Sequence, residues 1–129
     1  MDVAKGDSNT YLSLEKGGCL AHCKAYTISI ERNGSANYLG RVNVSKTGRY
    51  HRKLTSKENV DLWEFIEKSA IFDFNGFTGH LGEDSQARTL IISLDGSVKK
   101  ITYGAMAPKI LIDLEEKMEA IAESGEWKE

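Results

Sequence analysis

Period-two alternation of apolar and polar residues, two Xaa-Gly turn dipeptides and two apolar stripes at helical spacing predict an α+β fold. The expected architecture is an antiparallel sheet of about five or six strands, a meander plus a hairpin, with two helices on one face. A chain of 129 residues sits at the usual size of one domain and can bury a core without staples. Residues 1–129 are read as a single domain, with 1–9 as a flexible N-terminal extension.

The first strand signal is Tyr11 to Glu15, where Leu12 and Leu14 share a side; it reads as an edge strand. Tyr26, Ile28 and Ile30 then alternate with Thr27, Ser29 and Glu31, the pattern of a strand with one buried face. Asn33-Gly34 tolerates the positive φ angles of a type I′ turn, so the chain should reverse through Ala36, Tyr38, Val42 and Val44. Gly48 offers the next turn, and Tyr50 and Leu54 continue the meander.

Thr55 followed by Glu58 has the spacing of a capping box, which starts a helix. Leu62, Phe65, Ile66 and Ser69 fall on one stripe of that helix, with Trp63 and Ala70 at its margin. Phe72 to Ser85 is rich in glycine yet carries Phe72, Phe74, Phe77 and Leu81, and reads as an irregular connection pinned by aromatics. Leu90, Ile92 and Leu94 lead to Asp95-Gly96, with Val98 to Tyr103 returning as the second arm of a hairpin. Pro108 suits a first helical position, Leu111, Leu114, Met118 and Ile121 recur along one face, and Gly125 is a stop.

The formal net charge of −2 puts no strong field around the molecule, so neither nucleic acid nor an anionic membrane is drawn from a distance. Arg41, Lys46, Arg49, Arg52 and Lys53 cluster before the middle, whereas Asp113, Glu115, Glu116, Glu119, Glu123, Glu126 and Glu129 crowd the end. Both clusters read as solvated faces. No apolar run is long enough to span a bilayer, and Met1 to Asn9 lacks the hydrophobic region of a signal peptide. A native start at Met1 places the protein in the cytoplasm; a mature chain with an added methionine would leave export open.

Cys19 and Cys23 bracket Leu20, Ala21 and His22. If the segment turns, the two Cα atoms come within the roughly 4.4–6.8 Å that a disulfide needs; if it is extended they lie too far apart. Three states remain open: a disulfide stapling a short turn, inert thiols, or metal and redox chemistry. Cys19, His22 and Cys23 supply three zinc ligands, and His51 or His80 would have to complete the set. The Cys-x-x-x-Cys spacing and the following strand do not match the thioredoxin-like motif. His80, Glu83 and Asp84 form a second candidate, an acid/base or cation site in the glycine-rich connection, against the plainer reading of a solvated loop. Tyr26, Tyr38 and Tyr50 near Arg41, Arg49 and Arg52 could stack nucleic-acid bases, but they also alternate as core positions do, and nucleic-acid binding is disfavoured. No phosphate loop, dinucleotide fingerprint, nucleophile elbow or zinc-protease motif occurs, and no cofactor is implied.

The run Cys19-Leu20-Ala21-His22-Cys23-Lys24-Ala25-Tyr26, followed by Asn33-Gly34 and a strand with Tyr38 and Gly40, resembles a bacterial domain family of unknown function, number 6438. In that family a Cys-x-Gly-x-Cys-Pro-x-Tyr segment opens the domain. Glu58 to Phe72, Asp84, Arg88 to Tyr103 and Pro108 to Ile121 look like its later elements, whereas Ala21 and Lys24 depart from its glycine and proline. The resemblance implies an exported or lipid-anchored setting, periplasmic or cell-surface, and favours an oxidised Cys19–Cys23 pair. It brings no activity.

The functional expectation is a non-catalytic binding or interaction module, possible in a bacterial envelope, whose partner is a protein or a small-molecule ligand. The rival is a small thiol- or metal-dependent enzyme centred on Cys19, His22 and Cys23.

Overall fold

Six strands and two helices follow one another as β1 (Tyr11–Lys16), β2 (Ala25–Glu31), β3 (Ser35–Val42), β4 (Gly48–Lys53), α1 (Ser56–Ser69), β5 (Arg88–Leu94), β6 (Ser97–Tyr103) and α2 (Lys109–Glu123). The computed structural model describes residues 10–17, 23–69, 71, 87–104 and 107–129. The expected N-terminal extension, the Phe72–Ser85 connection and Ala70 lie outside them.

The strands form one antiparallel sheet in the order β4-β3-β2-β1-β5-β6. The edge position expected for Tyr11–Glu15 is not what forms. β1 is central, paired with β2 on one side and β5 on the other, and Leu12 and Leu14 are wholly buried. Alternation reports which face of a strand is buried; it says nothing about whether its edges are paired. Thr10 ties this centre to the far hairpin, its hydroxyl accepting the Asp95 N–H at 3.1 Å.

Asp95 and Gly96 both take positive φ (51° and 90°), as a type I′ turn requires. Asn33-Gly34 does not follow suit. Only Gly34 is left-handed (φ 97°), Gly34 N–H donates to Glu31 O, and Asn33 Oδ1 accepts the Ser35 N–H. The connection is a three-residue loop closed by a left-handed glycine, one of the next most common hairpin connections after the two-residue turns.

The capping box forms as expected: Glu58 N–H donates to Thr55 Oγ1 at 3.1 Å and Thr55 N–H to Glu58 Oε1 at 2.9 Å. α1 buries Leu62, Trp63 and Ile66, so Trp63 is in the core rather than at its margin, and Phe65 is half-buried. Pro108 is the N-cap of α2, not its first helical residue, because its ψ of 153° is extended. Gly125, at φ 78°, follows the C-cap Ser124 and ends the helix as expected.

Both helices cover the face that carries Leu12, Leu14, Ile28, Ile30, Tyr38, Leu90, Ile92 and Ile101, closing a single core with Leu62, Ile66, Leu111, Leu114 and Met118. Each such side chain contributes about 1.5–3 kcal/mol of burial. After α2 the tail returns to the outer edge of β4, where His51 and Lys128 exchange two backbone hydrogen bonds at 2.7 and 2.9 Å.

Candidate functional site

At one end of the covered face the apolar pattern turns ionic. Lys16 sits opposite Tyr26 on β2 and Arg88 on β5, and Arg88 sits opposite Tyr103 on β6. The row Tyr26–Lys16–Arg88–Tyr103 meets glutamates spaced four apart on α2. Lys16 Nζ lies 3.2 Å from Glu115 and 2.8 Å from Glu119, Arg88 Nε 3.0 Å from Glu115, and Lys24 Nζ 3.2 Å from Glu123. Tyr26 and Tyr103 donate their hydroxyls to Glu119 and Glu115, each at 3.1 Å. Lys16 and Glu115 are each only 8% exposed in their side chains, so this cluster is held by mutual pairing rather than by water.

The electrostatics favour permanence. Burial, then the facing carboxylates, push the Tyr26 and Tyr103 hydroxyls far above the ordinary phenol range. Burial works to raise the Glu119 carboxyl, but the Lys16 ammonium and the Tyr26 hydroxyl outweigh it and hold Glu119 below the usual range. At neutral pH the tyrosines keep their protons and Glu119 its charge, which suits docking a helix better than exchanging protons.

Two further cations hold the C-terminus of α2. Lys46 donates to Ala122 O at 2.9 Å and Arg52 to Ile121 O at 3.3 Å, completing carbonyls that the helix leaves open. Arg52 also grips Glu58 through both terminal nitrogens, at 3.1 and 2.9 Å. That bond, against burial and with help from the Thr55 N–H, lowers the Glu58 carboxyl.

The opposite face of the sheet carries no helix among the described residues. One register row across it reads His51, Asn37, Ser29, Ser13, Ile91, Lys100, and the next Arg49, Leu39, Thr27, Glu15, Thr89, Thr102. Ser29 and Ser13 hydrogen-bond at 3.3 Å, and Arg41 donates to Thr27 Oγ1 at 2.8 Å. Over β2–β4 this face dips into a depression of about 350 Å³ lined by Thr27, Ser29, Asn37, Tyr38, Leu39, Arg49, Tyr50, His51 and Glu129. A second depression adjoins it through Asn37 and His51 and runs to Lys53, Thr55 and the tail.

Of the residues singled out in the sequence, Cys19, His22, His80, Glu83 and Asp84 lie outside the described residues. Cys23 leads into β2, and its carbonyl accepts the Asn43 side-chain amide at 3.3 Å. His51 is exposed on β4, facing the uncovered side. Tyr26 and Tyr38 are buried on the helix side, 5.6 Å apart and stacked, so they belong to the core and not to an exposed stacking platform. The two charged clusters are not simply solvated faces either: Arg52, Glu115 and part of Glu119 are inside the molecule, joined to cations and helix carbonyls. Lys16 and Arg88 were missed in the sequence. Their signal was parity, since Lys16 continues the buried positions Leu12 and Leu14, and Arg88 precedes Leu90 and Ile92 on the same side.

Among the described residues no group of three His, Cys, Asp or Glu side chains converges to hold a metal, and no helix is long and apolar enough to cross a membrane. The fold and its uncovered polar face define a small α+β domain built on a six-stranded antiparallel sheet. Residues 10–122 match the family described as "Domain of unknown function (DUF6438)", and the chain belongs to that family. No curated protein matches it.

Proposed function

We propose that this domain is a non-catalytic binding module and that its ligand sits on the uncovered face of the sheet over β2–β4. The observation that carries this reading is the depression on that face, in which polar side chains that the sheet holds in register surround apolar surface. Hydroxyls, an amide, an imidazole and a guanidinium offer donors and acceptors around the half-buried Leu39, a mixture suited to orienting a small ligand. The helix side offers less, because its core is closed and its ionic row is committed to holding α2.

The test is a thermal-stability screen against a panel of small polar compounds, repeated on two variants. Asn37→Trp fills the depression from an exposed position, and Val60→Trp adds the same bulk to the outer side of α1. Compounds that stabilise the parent and Val60→Trp but not Asn37→Trp support the reading. A panel without hits, or hits indifferent to Asn37→Trp, overturns it.

A further inference from the structure

We infer that the depression between β4, the start of α1 and the tail is an oxyanion site, taking the carboxylate or phosphate group of a small ligand. This rests on the binding-module reading and names the chemistry of its ligand. Arg52, Lys53 and Lys128 line the depression with His51 and Thr55, against one lining carboxylate, Glu126. Neither Lys53 nor Lys128 forms an ion pair among the described residues, whereas the lysines of α1 and the first turn of α2 are paired along their own helices. The charges of Lys53 and Lys128 are therefore open to an added anion, whereas that of Arg52 is met by Glu58.

The second observation is independent of those surface charges. The Arg52 side chain is only 6% exposed, yet its Nε–H has no hydrogen-bond partner, while both terminal nitrogens are used by Glu58 and backbone carbonyls. Gly125 closes against this nitrogen: a Cβ there would come within 2.9 Å of Nε. Both residues border the depression, and the unpaired donor lies buried behind its wall, under Gly125. The N-cap Thr55 brings the positive end of the α1 dipole to the same place. A buried donor left unmade, a helix start and two unpaired ammonium groups share one requirement, an oxygen-rich anion.

The experiment is an amide-shift titration of the full chain with inorganic phosphate and, separately, with acetate, at constant ionic strength set by sodium chloride. Saturating shifts centred on Lys53, Thr55 and Gly125 are expected, and the stronger titrant tells phosphate from carboxylate. Lys53→Ala/Lys128→Ala should weaken binding by about tenfold, and Lys68→Ala/Lys100→Ala, which removes equal charge at the far end of α1 and on β6, should leave it unchanged. Shifts that never saturate, that spread over all surface lysines, or that fall equally in both double variants overturn the assignment. If neither anion binds while neutral compounds still bind in an Asn37-dependent way, the anion site falls and the binding platform stands.

Discussion

The ammonium of Lys16, at the end of the central strand, lies 2.8 Å from the carboxylate of Glu119 on α2, across 103 residues of chain. Glu115 stands on its other side at 3.2 Å, so one lysine joins the sheet to two successive turns of the helix. Removing it leaves Glu115 to Arg88 and Tyr103, and Glu119 to the Tyr26 hydroxyl. Lys16→Met should lower unfolding stability by about 1–3 kcal/mol, because the buried Glu115 loses one of its two cations and Glu119 its nearest one. Lys24→Met, which breaks a pair about half exposed on both sides, should cost about 0–1 kcal/mol. Urea unfolding of the two variants measures the contrast, and equal losses would show that burial of the row does not matter.

Acid should unfold the protein through its paired carboxylates. The Glu58 and Glu119 carboxyls both sit below their ordinary value of 4.5 when folded. A lowered folded value means that the unfolded chain binds protons more readily, so the stabilisation is present above about pH 4.5 and is lost as pH falls below it. Melting temperature followed between about pH 7 and pH 3 should decline steeply at the acid end, and the decline should be shallower in Glu119→Gln.

Alkali should act through Tyr26 and Tyr103, whose hydroxyls are raised from 10.0. Their stabilisation is complete below the unfolded value and is lost as pH rises past about 10, where the unfolded chain ionises first. Tyr26→Phe/Tyr103→Phe should flatten that alkaline limb while costing about 1 kcal/mol per lost hydrogen bond at neutral pH. An unchanged alkaline limb in the double variant would rule out these two hydroxyls as its source.

Gly40 and Gly48 test two different reasons for glycine on neighbouring strands. A Cβ on Gly40 would overlap the Lys46 carbonyl oxygen, so Gly40→Ala should displace the β3–β4 connection, free Lys46 from Ala122 O, and cost about 1–3 kcal/mol. Gly48 has open space around it but a φ of 106°, so Gly48→Ala should cost only backbone strain, about 1–2 kcal/mol. Amide shifts at Ala122 should move in the first variant and stay in the second; the reverse pattern would mean that the close approach at Gly40 is not what requires glycine.

Cys19 and Cys23 are expected to form a disulfide in protein purified without reductant. Intact mass after alkylation should show no added groups before reduction and two after it. Alkylation of both thiols without reduction, or stoichiometric zinc, would instead favour thiol or metal chemistry at Cys19, His22 and Cys23.

Local patterns in the sequence determined which segments are strands and helices, and which side of each is buried. Ile28 and Ile30, Leu90 and Ile92, the Thr55–Glu58 cap, the Asp95-Gly96 turn and the Leu111–Ile121 stripe all act within a few residues, where side-chain period and turn stereochemistry are decisive. Partnership across long separations was decided only by the tertiary structure. That β1 is central, that Lys16 and Arg88 meet Glu115, and that the tail and Thr55 bring Lys128 to Lys53 depend on strand order and helix docking. A charged residue on a buried parity looks in sequence like the end of a strand; for Lys16 the opposite charge that offsets its burial arrives from 103 residues away, beyond the reach of any local pattern.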